Sequence, residues 1–409
     1  MSLTRFWYIL IILLISVLVG VTWANYHFAS QNPGGNDFLV HWVGTRSLII
    51  EGLSPYSDAV ATKIQMLAYG HPARPGEHEL RVAYPLYSEI IFAPFAFIEN
   101  YTLARALWMT VMEMALVILA ILCIRLTDWR PGVLVLGIYL VFALLWYHGV
   151  RPVINGNVVV LVALLMVAAL HAIRNDSEEV AGMMLGLATI KPHLVILFIA
   201  LVLLWAASQR RWRLVVWTVS TVVFLTLVSM FFIPDWILQN LREILRYTSY
   251  NPPGTPIAVF KVWLPGIGRQ IGWIIIGLLV IDLLVEWWLC WGKDFRWFLW
   301  TVSLSLVLSQ WIGIQTDPGN FITLFLPMVL IFAIWTERWG NKARITVVVS
   351  MLVLLVGLWA LFIATVEPGN QPQQNPVMFF PLPLVLLIGL YWGRWWALGP
   401  RLLEATRSI

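Results

Sequence analysis

Apolar runs recur along the whole length of this chain, and no other feature limits its fold as strongly. A helical run of roughly 17–25 apolar residues crosses about 30 Å of hydrocarbon. Runs of this kind, some of them shorter, occupy approximately 6–24, 102–124, 132–149, 157–173, 181–191, 193–207, 214–233, 270–291, 297–314, 320–335, 344–366 and 378–392. Hydrophobic residues make up 60% of the 409 residues and charged residues only 11%, against about 25% charged in soluble domains. That composition cannot cover a water-soluble surface. The expectation is an all-α, polytopic membrane protein with about a dozen transmembrane helices. Trp23, Trp146, Trp205 and Trp335 stand at run ends, as in an aromatic belt at the headgroup level. The first run could pass for a signal peptide. With so many spans behind it, an uncleaved first helix is expected.

The net charge of +5 would suggest a nucleic-acid partner in a soluble protein. Here the basic residues gather in short loops: Arg125 and Arg130, Arg174, Arg210 to Arg213, Lys293 and Arg296, and Arg338 to Arg344, with Arg394, Arg401 and Arg407 in the tail. They are read as topology signals, with no nucleic acid implied. The positive-inside rule puts these loops and both termini in the cytoplasm of a plasma-membrane protein. The long or weakly charged segments 25–101, 150–156, 234–269, 315–319 and 367–377 then face outward. Alternation holds only if 86–98, a short stretch containing Pro94, stays out of the span count as an interfacial or re-entrant helix. It also requires 181–207 to enter and return, turning at Lys191-Pro192-His193. The chain reads as a single transmembrane domain over 1–409, without internal repeats, with 25–101 as a large first outer loop and 234–269 as a second. Cys123 and Cys290 lie in apolar runs and give neither a disulfide framework nor a zinc pattern.

The outward segments carry the candidate chemistry. Asp37 begins a stretch in which Phe38, Trp42, Val43 and Ile49 predict a short amphipathic helix on the membrane surface, closed by Gly52. Either Asn36 or Asp37 would serve as its N-cap. Alternatively, Asp37 is a partly desolvated carboxylate able to act as a general base on a hydroxyl, with His41 one turn on sharing its face. Lys191, at the turn of a broken helix, would cost roughly 2.5–3.5 kcal/mol at the bilayer centre. It either snorkels to the interface or supplies a point charge for a lipid-linked phosphate, with His193 and Arg151 as helpers. Asn155 and Asn157 add amide donors beside Arg151. Asp317 and Asn320 sit in Asp-Pro-Gly-Asn, which is turn chemistry as readily as a site. Glu113, Asp282 and Glu286 are ionisable residues within spans, a feature that transporters share. No phosphate loop, dinucleotide fingerprint, metalloprotease motif, nucleophile elbow or Asp-x-Asp pair occurs, and no metal site is expected.

The run DFLVHWVGTRSLIIEGLSPYS from Asp37 resembles the first-loop signature of glycosyltransferase family 87, polyprenyl-phosphate-sugar-dependent enzymes of the GT-C superfamily that include mannosyltransferases. Asp37, Phe38, Trp42, Gly44, Arg46, Gly52, Pro55 and Tyr56 carry the match. Tyr84-Pro85, the NGN segment from Asn155 and the Lys191-Pro192 hairpin extend it over most of the chain. Towards the C-terminus it weakens: the family's histidine is replaced by Gly319, Asn320 and Phe321. The resemblance implies a GT-C-type bundle whose first outer loop carries juxtamembrane helices. It also implies an inverting transfer without metal or other cofactor, the donor being a polyprenyl-phosphate sugar, in which Asp37 deprotonates the acceptor. Charge and position, rather than the motif, assign Lys191 to the leaving phosphate, and the candidate donor and substrate residues beside it are His193, Arg151, Asn157, His41, Arg46, Tyr84, Asp317 and Asn320. The reading is transfer of a hexose, mannose among the candidates, to a lipid or glycan acceptor at the outer face. The rival is a transporter or flippase of a lipid-linked sugar, using Glu113, Asp282 and Arg151 as pathway charges; the lack of paired repeats speaks against it.

Overall fold

The computed structural model describes residues 3–250, 256–312, 318–366 and 374–399. Every regular element among them is helical. The order begins α1 (Leu3–Gln31), α2 (Asn36–Glu51), α3 (Asp58–Tyr69), α4 (Glu89–Ala96), α5 (Tyr101–Leu126), α6 (Val133–Leu145) and α7 (Tyr147–Asn155). It continues with α8 (Val159–Arg174), α9 (Glu178–Ala188), α10 (Pro192–Ser208), α11 (Trp212–Phe232), α12 (Trp236–Tyr250) and α13 (Pro256–Trp263). The last helices are α14 (Gly268–Cys290), α15 (Phe295–Ser309), α16 (Phe325–Trp339), α17 (Ala343–Thr365), α18 (Pro381–Trp392) and α19 (Trp395–Leu398). Two compact units emerge, one built from 1–115, 151–158 and 228–250, the other from 116–150, 159–227 and 251–409.

By length and apolarity, six helical stretches of the described residues can cross a membrane, or seven if the bent pair α6–α7 counts as one. The protein is therefore a multi-pass helical membrane protein, and among the described residues these six or seven stretches meet that length, against the dozen or so helices expected from hydropathy. The expected spans at 157–173, 193–207 and 297–314 are helices α8, α10 and α15, each under 18 residues long. A 15-residue helix such as α15 rises only about 22 Å at 1.5 Å per residue. It is also buried at every position from Phe298 to Ser309, as a core helix rather than a lipid-facing one would be. Hydropathy cannot separate burial in protein from burial in lipid. Trp146 and Trp205 show the same confusion: both are buried core residues, whereas Trp23 is 68% exposed as a belt residue should be.

In the first unit, α1 meets α5 through polar side chains. Asn25 Nδ2 donates to Glu113 Oε2 at 2.9 Å and to Thr110 Oγ1 at 3.1 Å, so this acid is an interhelical tie. The expected 86–98 stretch is a short 3-10 turn, Leu86–Ser88, followed by the eight-residue α4. An eight-residue helix, about 12 Å long, does not span a bilayer. Helix α12 binds the rest of the unit through a buried fork: Arg81 Nε and Nη2 donate to Glu243 Oε2 and Oε1 at 2.6 and 3.0 Å. Its opposite face leaves Ile237, Leu241, Ile244 and Leu245 exposed, the pattern of a helix lying at a membrane surface.

In the second unit the break between α9 and α10 falls where the sequence puts it. Pro192 is the first residue of α10, where its missing N–H costs nothing, and Lys191 precedes it. Helix α9 packs closely on α11 through Gly182 and Gly186: a Cβ on either would lie 2.5 Å from Trp217 Cβ or Thr221 Cβ. The acids of α14 are held by α18 and the residues after it. Tyr391 Oη donates to Asp282 at 2.6 Å, and Arg394 pairs with Glu286 at 2.9 Å.

Candidate active site

The N-cap position of α2 is Gly35, at φ 75°, and no side chain caps the helix. Neither Asn36 nor Asp37 is therefore the cap the sequence allows. Asp37 is half-buried, and its Oδ2 accepts two side-chain amides: Asn155 Nδ2 at 2.6 Å and Asn157 Nδ2 at 2.7 Å. Hydrogen bonds to an ionised acceptor are about twice as strong as neutral ones, so the pair fixes the direction of the carboxylate.

The geometry depends on the residue between the two asparagines. Gly156 has φ +76°, and a Cβ there would lie 2.3 Å from Phe38 Cβ. Only glycine takes this backbone conformation at no steric cost while letting α2 approach so closely. Phe38 is fully buried in a cluster of rings, 5.6 Å from Trp108 and 5.9 Å from Tyr101 between centroids. Trp108 Nε1 in turn donates to the Gly156 carbonyl at 2.9 Å. Arg105 straps the same corner, donating to Ile154 O at 3.0 Å and Asn32 O at 2.7 Å. Phe38 and Trp108 thus position Asp37 from beneath, and the amides position it from the side.

Arg151 precedes Asn155 by four residues on α7 and so shares its face. Its Nε is buried without a hydrogen-bond partner among the described residues. A buried, unsatisfied cationic donor beside a fixed carboxylate is the kind of group that an anionic ligand completes. His78 is a further neighbour, for which the sequence offers no local signal. Burial holds its imidazole below the ordinary value of 6.5, against the opposing pull of the Asp37 and Glu79 carboxylates. The Leu80 N–H donates to its Nδ1 at 3.0 Å.

Three other predicted residues serve the scaffold. His41 lies one turn after Asp37 on α2 and is directed into the core. It is 5% exposed, bonded through Nδ1 to Glu89 Oε1 at 2.8 Å and stacked on Phe92 at 4.5 Å. Thr45 donates to the other Glu89 oxygen at 2.6 Å. Helix α2 is buried at every position from Phe38 to Thr45, so it is a core helix and not the surface helix its sequence suggests. Arg46 donates to the Ala96 carbonyl at 2.7 Å and lies over Trp42, tying α2 to the end of α4. The Tyr84 carbonyl accepts from Tyr56 Oη at 2.7 Å and its ring packs on His41.

In the second unit, Lys191 is 3% exposed and donates from Nζ to Asn320 Oδ1 at 2.8 Å. The structure pairs two residues that the sequence singles out separately, and the snorkelling alternative for Lys191 fails. Asn320, at the position where the resemblance expects histidine, is an amide acceptor for this lysine. His193 follows on the first turn of α10. Asp317 lies outside the described residues. Among the described residues no three His, Cys, Asp or Glu side chains are grouped to hold a metal ion.

The chain is 26% identical over 263 residues to an α-(1→3)-arabinofuranosyltransferase of Corynebacterium glutamicum, a match covering 61% of this chain and 59% of that relative. The chain thus matches less than two thirds of the relative's length. No solved structure matches the chain. The signature of glycosyltransferase family 87 matches residues 83–309, which takes in Tyr84, Arg151, Asn155, Asn157 and Lys191 and begins after Asp37. That match spans more than half of the 409 residues, and the chain belongs to glycosyltransferase family 87.

Proposed function

We propose that this protein transfers a sugar from a polyprenyl-phosphate donor to a hydroxyl of a lipid or glycan acceptor, with inversion at the anomeric carbon and without a metal. The observation that carries the reading is the Asp37 carboxylate held by the amides of Asn155 and Asn157, with the buried Arg151 Nε one helical turn away. Asp37 takes the proton of the acceptor hydroxyl. The acceptor oxygen attacks the anomeric carbon, and the bond from that carbon to the phosphate oxygen breaks, its electron pair leaving with the lipid phosphate. Arg151 offers a guanidinium for that phosphate. Lys191, which donates to Asn320 within the second unit, is assigned to phosphate binding by its charge and its place at the break between α9 and α10.

The resemblance of the first loop implies a hexose such as mannose. The name of the Corynebacterium relative favours a second reading, in which the donor sugar is arabinofuranose. Purified protein supplied with radiolabelled polyprenyl-phosphate mannose or polyprenyl-phosphate arabinofuranose separates the two, and Asp37→Asn tests the base. Transfer by Asp37→Asn at the wild-type rate would overturn the assignment.

We further propose that the reaction takes place at the outer face of the plasma membrane, with both termini in the cytoplasm, as the distribution of basic loops implies. A cysteine introduced as Asp128→Cys should then resist an impermeant thiol reagent applied from outside. Cys123 and Cys290 are 0% and 1% exposed and give little background. Labelling from outside would reverse the topology.

A further inference from the structure

A concave feature of the first unit stands apart from the Asp37 amide pair. A cleft of about 710 Å³ opens between the start of α3, the turn at 73–77 and α12. That volume lies within the roughly 300–1,000 Å³ typical of small-molecule sites. Three carboxylates, Asp58, Glu77 and Glu79, face three guanidinium groups, Arg74, Arg81 and Arg246, around its wall. The arrangement is built rather than loose. Arg81 donates to Asp58 at 2.7 Å and Arg246 to Glu79 at 2.7 Å, while the buried Arg81–Glu243 fork anchors the floor. Donors and acceptors are therefore both present around the wall.

This chemistry narrows the occupant. Balanced charge gives a phosphate no excess of cations. The apolar lining is limited to small residues such as Ala61, Ala73 and Pro75, so an acyl chain or a nucleobase finds little to pack against. A neutral ligand with many hydroxyls, each both donor and acceptor, matches a wall that carries carboxylates and guanidinium groups in equal number. The segment 77–81 joins this cleft to the first site. Glu77, Glu79 and Arg81 line the cleft, and His78 between them lies within the field of Asp37. Leu80, buried at 5% exposure, takes a left-handed backbone conformation at φ 46° within the same segment.

We infer that the cleft binds the non-reacting part of a glycan acceptor, a short run of sugars behind the residue whose hydroxyl is glycosylated. This rests on the glycosyl-transfer reading. It goes further in making acceptor length a determinant of specificity, because binding energy from remote sugars would be gathered here.

The test uses the full chain in detergent with octyl glycosides carrying one or five α-linked arabinofuranosyl or mannosyl residues. Two variants alter the cleft wall and neither touches Asp37 or its partners: Arg74→Ala removes a donor, and Thr62→Trp fills the space from an exposed face of α3. In the wild type the five-residue acceptor should have a KM at least tenfold below that of the monosaccharide. Both variants should erase that advantage while leaving kcat, the donor KM and the monosaccharide KM unchanged. Saturation-transfer NMR of the five-residue glycoside gives a readout independent of turnover: its remote sugars should receive signal from the wild type and lose it in Thr62→Trp. If no acceptor is glycosylated, the transfer reading fails and the NMR arm alone decides the cleft. Equal KM for long and short acceptors, or remote-sugar signal that persists in Thr62→Trp, overturns the inference.

Discussion

Replacing Gly156 with alanine should dismantle the Asp37 site without removing any of its polar groups. Two costs add. Holding alanine at φ +76° costs about 1–2 kcal/mol. Its Cβ would stand 2.3 Å from Phe38 Cβ and 3.1 Å from the Phe38 nitrogen, and overpacking of this kind costs about 1–3 kcal/mol. The sum, about 2–5 kcal/mol, is a large part of the 5–15 kcal/mol that separates folded from unfolded domains. The structure can lower the cost by moving Asn155 and Asn157 away from α2, which takes both amides off Asp37. A displacement of about 1 Å can cost on the order of a hundredfold in rate. Thermal unfolding and transfer rate should therefore fall together. Gly137→Ala is the control: nothing lies within 4 Å of a Cβ there and the residue is inside α6, so a gain of roughly 0.5–1 kcal/mol is expected. The reasoning fails if Gly156→Ala matches the wild type in both measurements, or is stabilised as Gly137→Ala is.

Glu243→Ala leaves Arg81 buried with the Tyr56 carbonyl and the carboxylate of Asp58, whose side chain is 85% exposed. Losing one partner of a buried pair costs about 3–5 kcal/mol, so the unfolding temperature should drop well below that of Glu51→Ala, which removes an exposed pair with Lys63. His78 gives a pH signature. Its folded value lies below 6.5 because burial disfavours the imidazolium, so the unfolded chain binds the proton first and stability declines as pH falls below 6.5. His78→Gln should flatten that decline. Because the Asp37 carboxylate raises His78, Asp37→Asn should move the His78 midpoint further down in an NMR titration; an unmoved midpoint places the two groups apart.

The membrane class and the break at Lys191-Pro192 were legible in the sequence because each follows from local chemistry: apolar runs, and a proline that can begin a helix but not continue one. Span number was less legible, since α15 is as apolar as a lipid-facing helix yet buried in protein along its length. The site was legible in its residues but not in its partnerships. Asp37 and the two asparagines stood out separately, but their contact joins positions 118 and 120 apart. His41 and Arg46 stood out for the same reason, and tertiary burial made them supports. The spacing of Phe38, Trp42, Val43 and Ile49 predicted a surface helix for α2, but the polar Thr45 and Ser47 are buried too, at 1% exposure each, and Thr45 satisfies its hydroxyl on Glu89. His78 had no signal, because its significance comes from a loop folding back towards α2.

The central claim is that Asp37 removes the acceptor proton, and one comparison tests it most directly. Asp37→Asn preserves the shape, and its amide oxygen can still accept from Asn155 and Asn157, so the fold and donor binding should survive. With radiolabelled polyprenyl-phosphate sugar and acceptor at saturation, kcat should fall by about 10²–10⁴, with the donor Kd and unfolding temperature near those of the wild type. A kcat within twofold of the wild type, in a variant that binds donor and folds normally, would contradict the account.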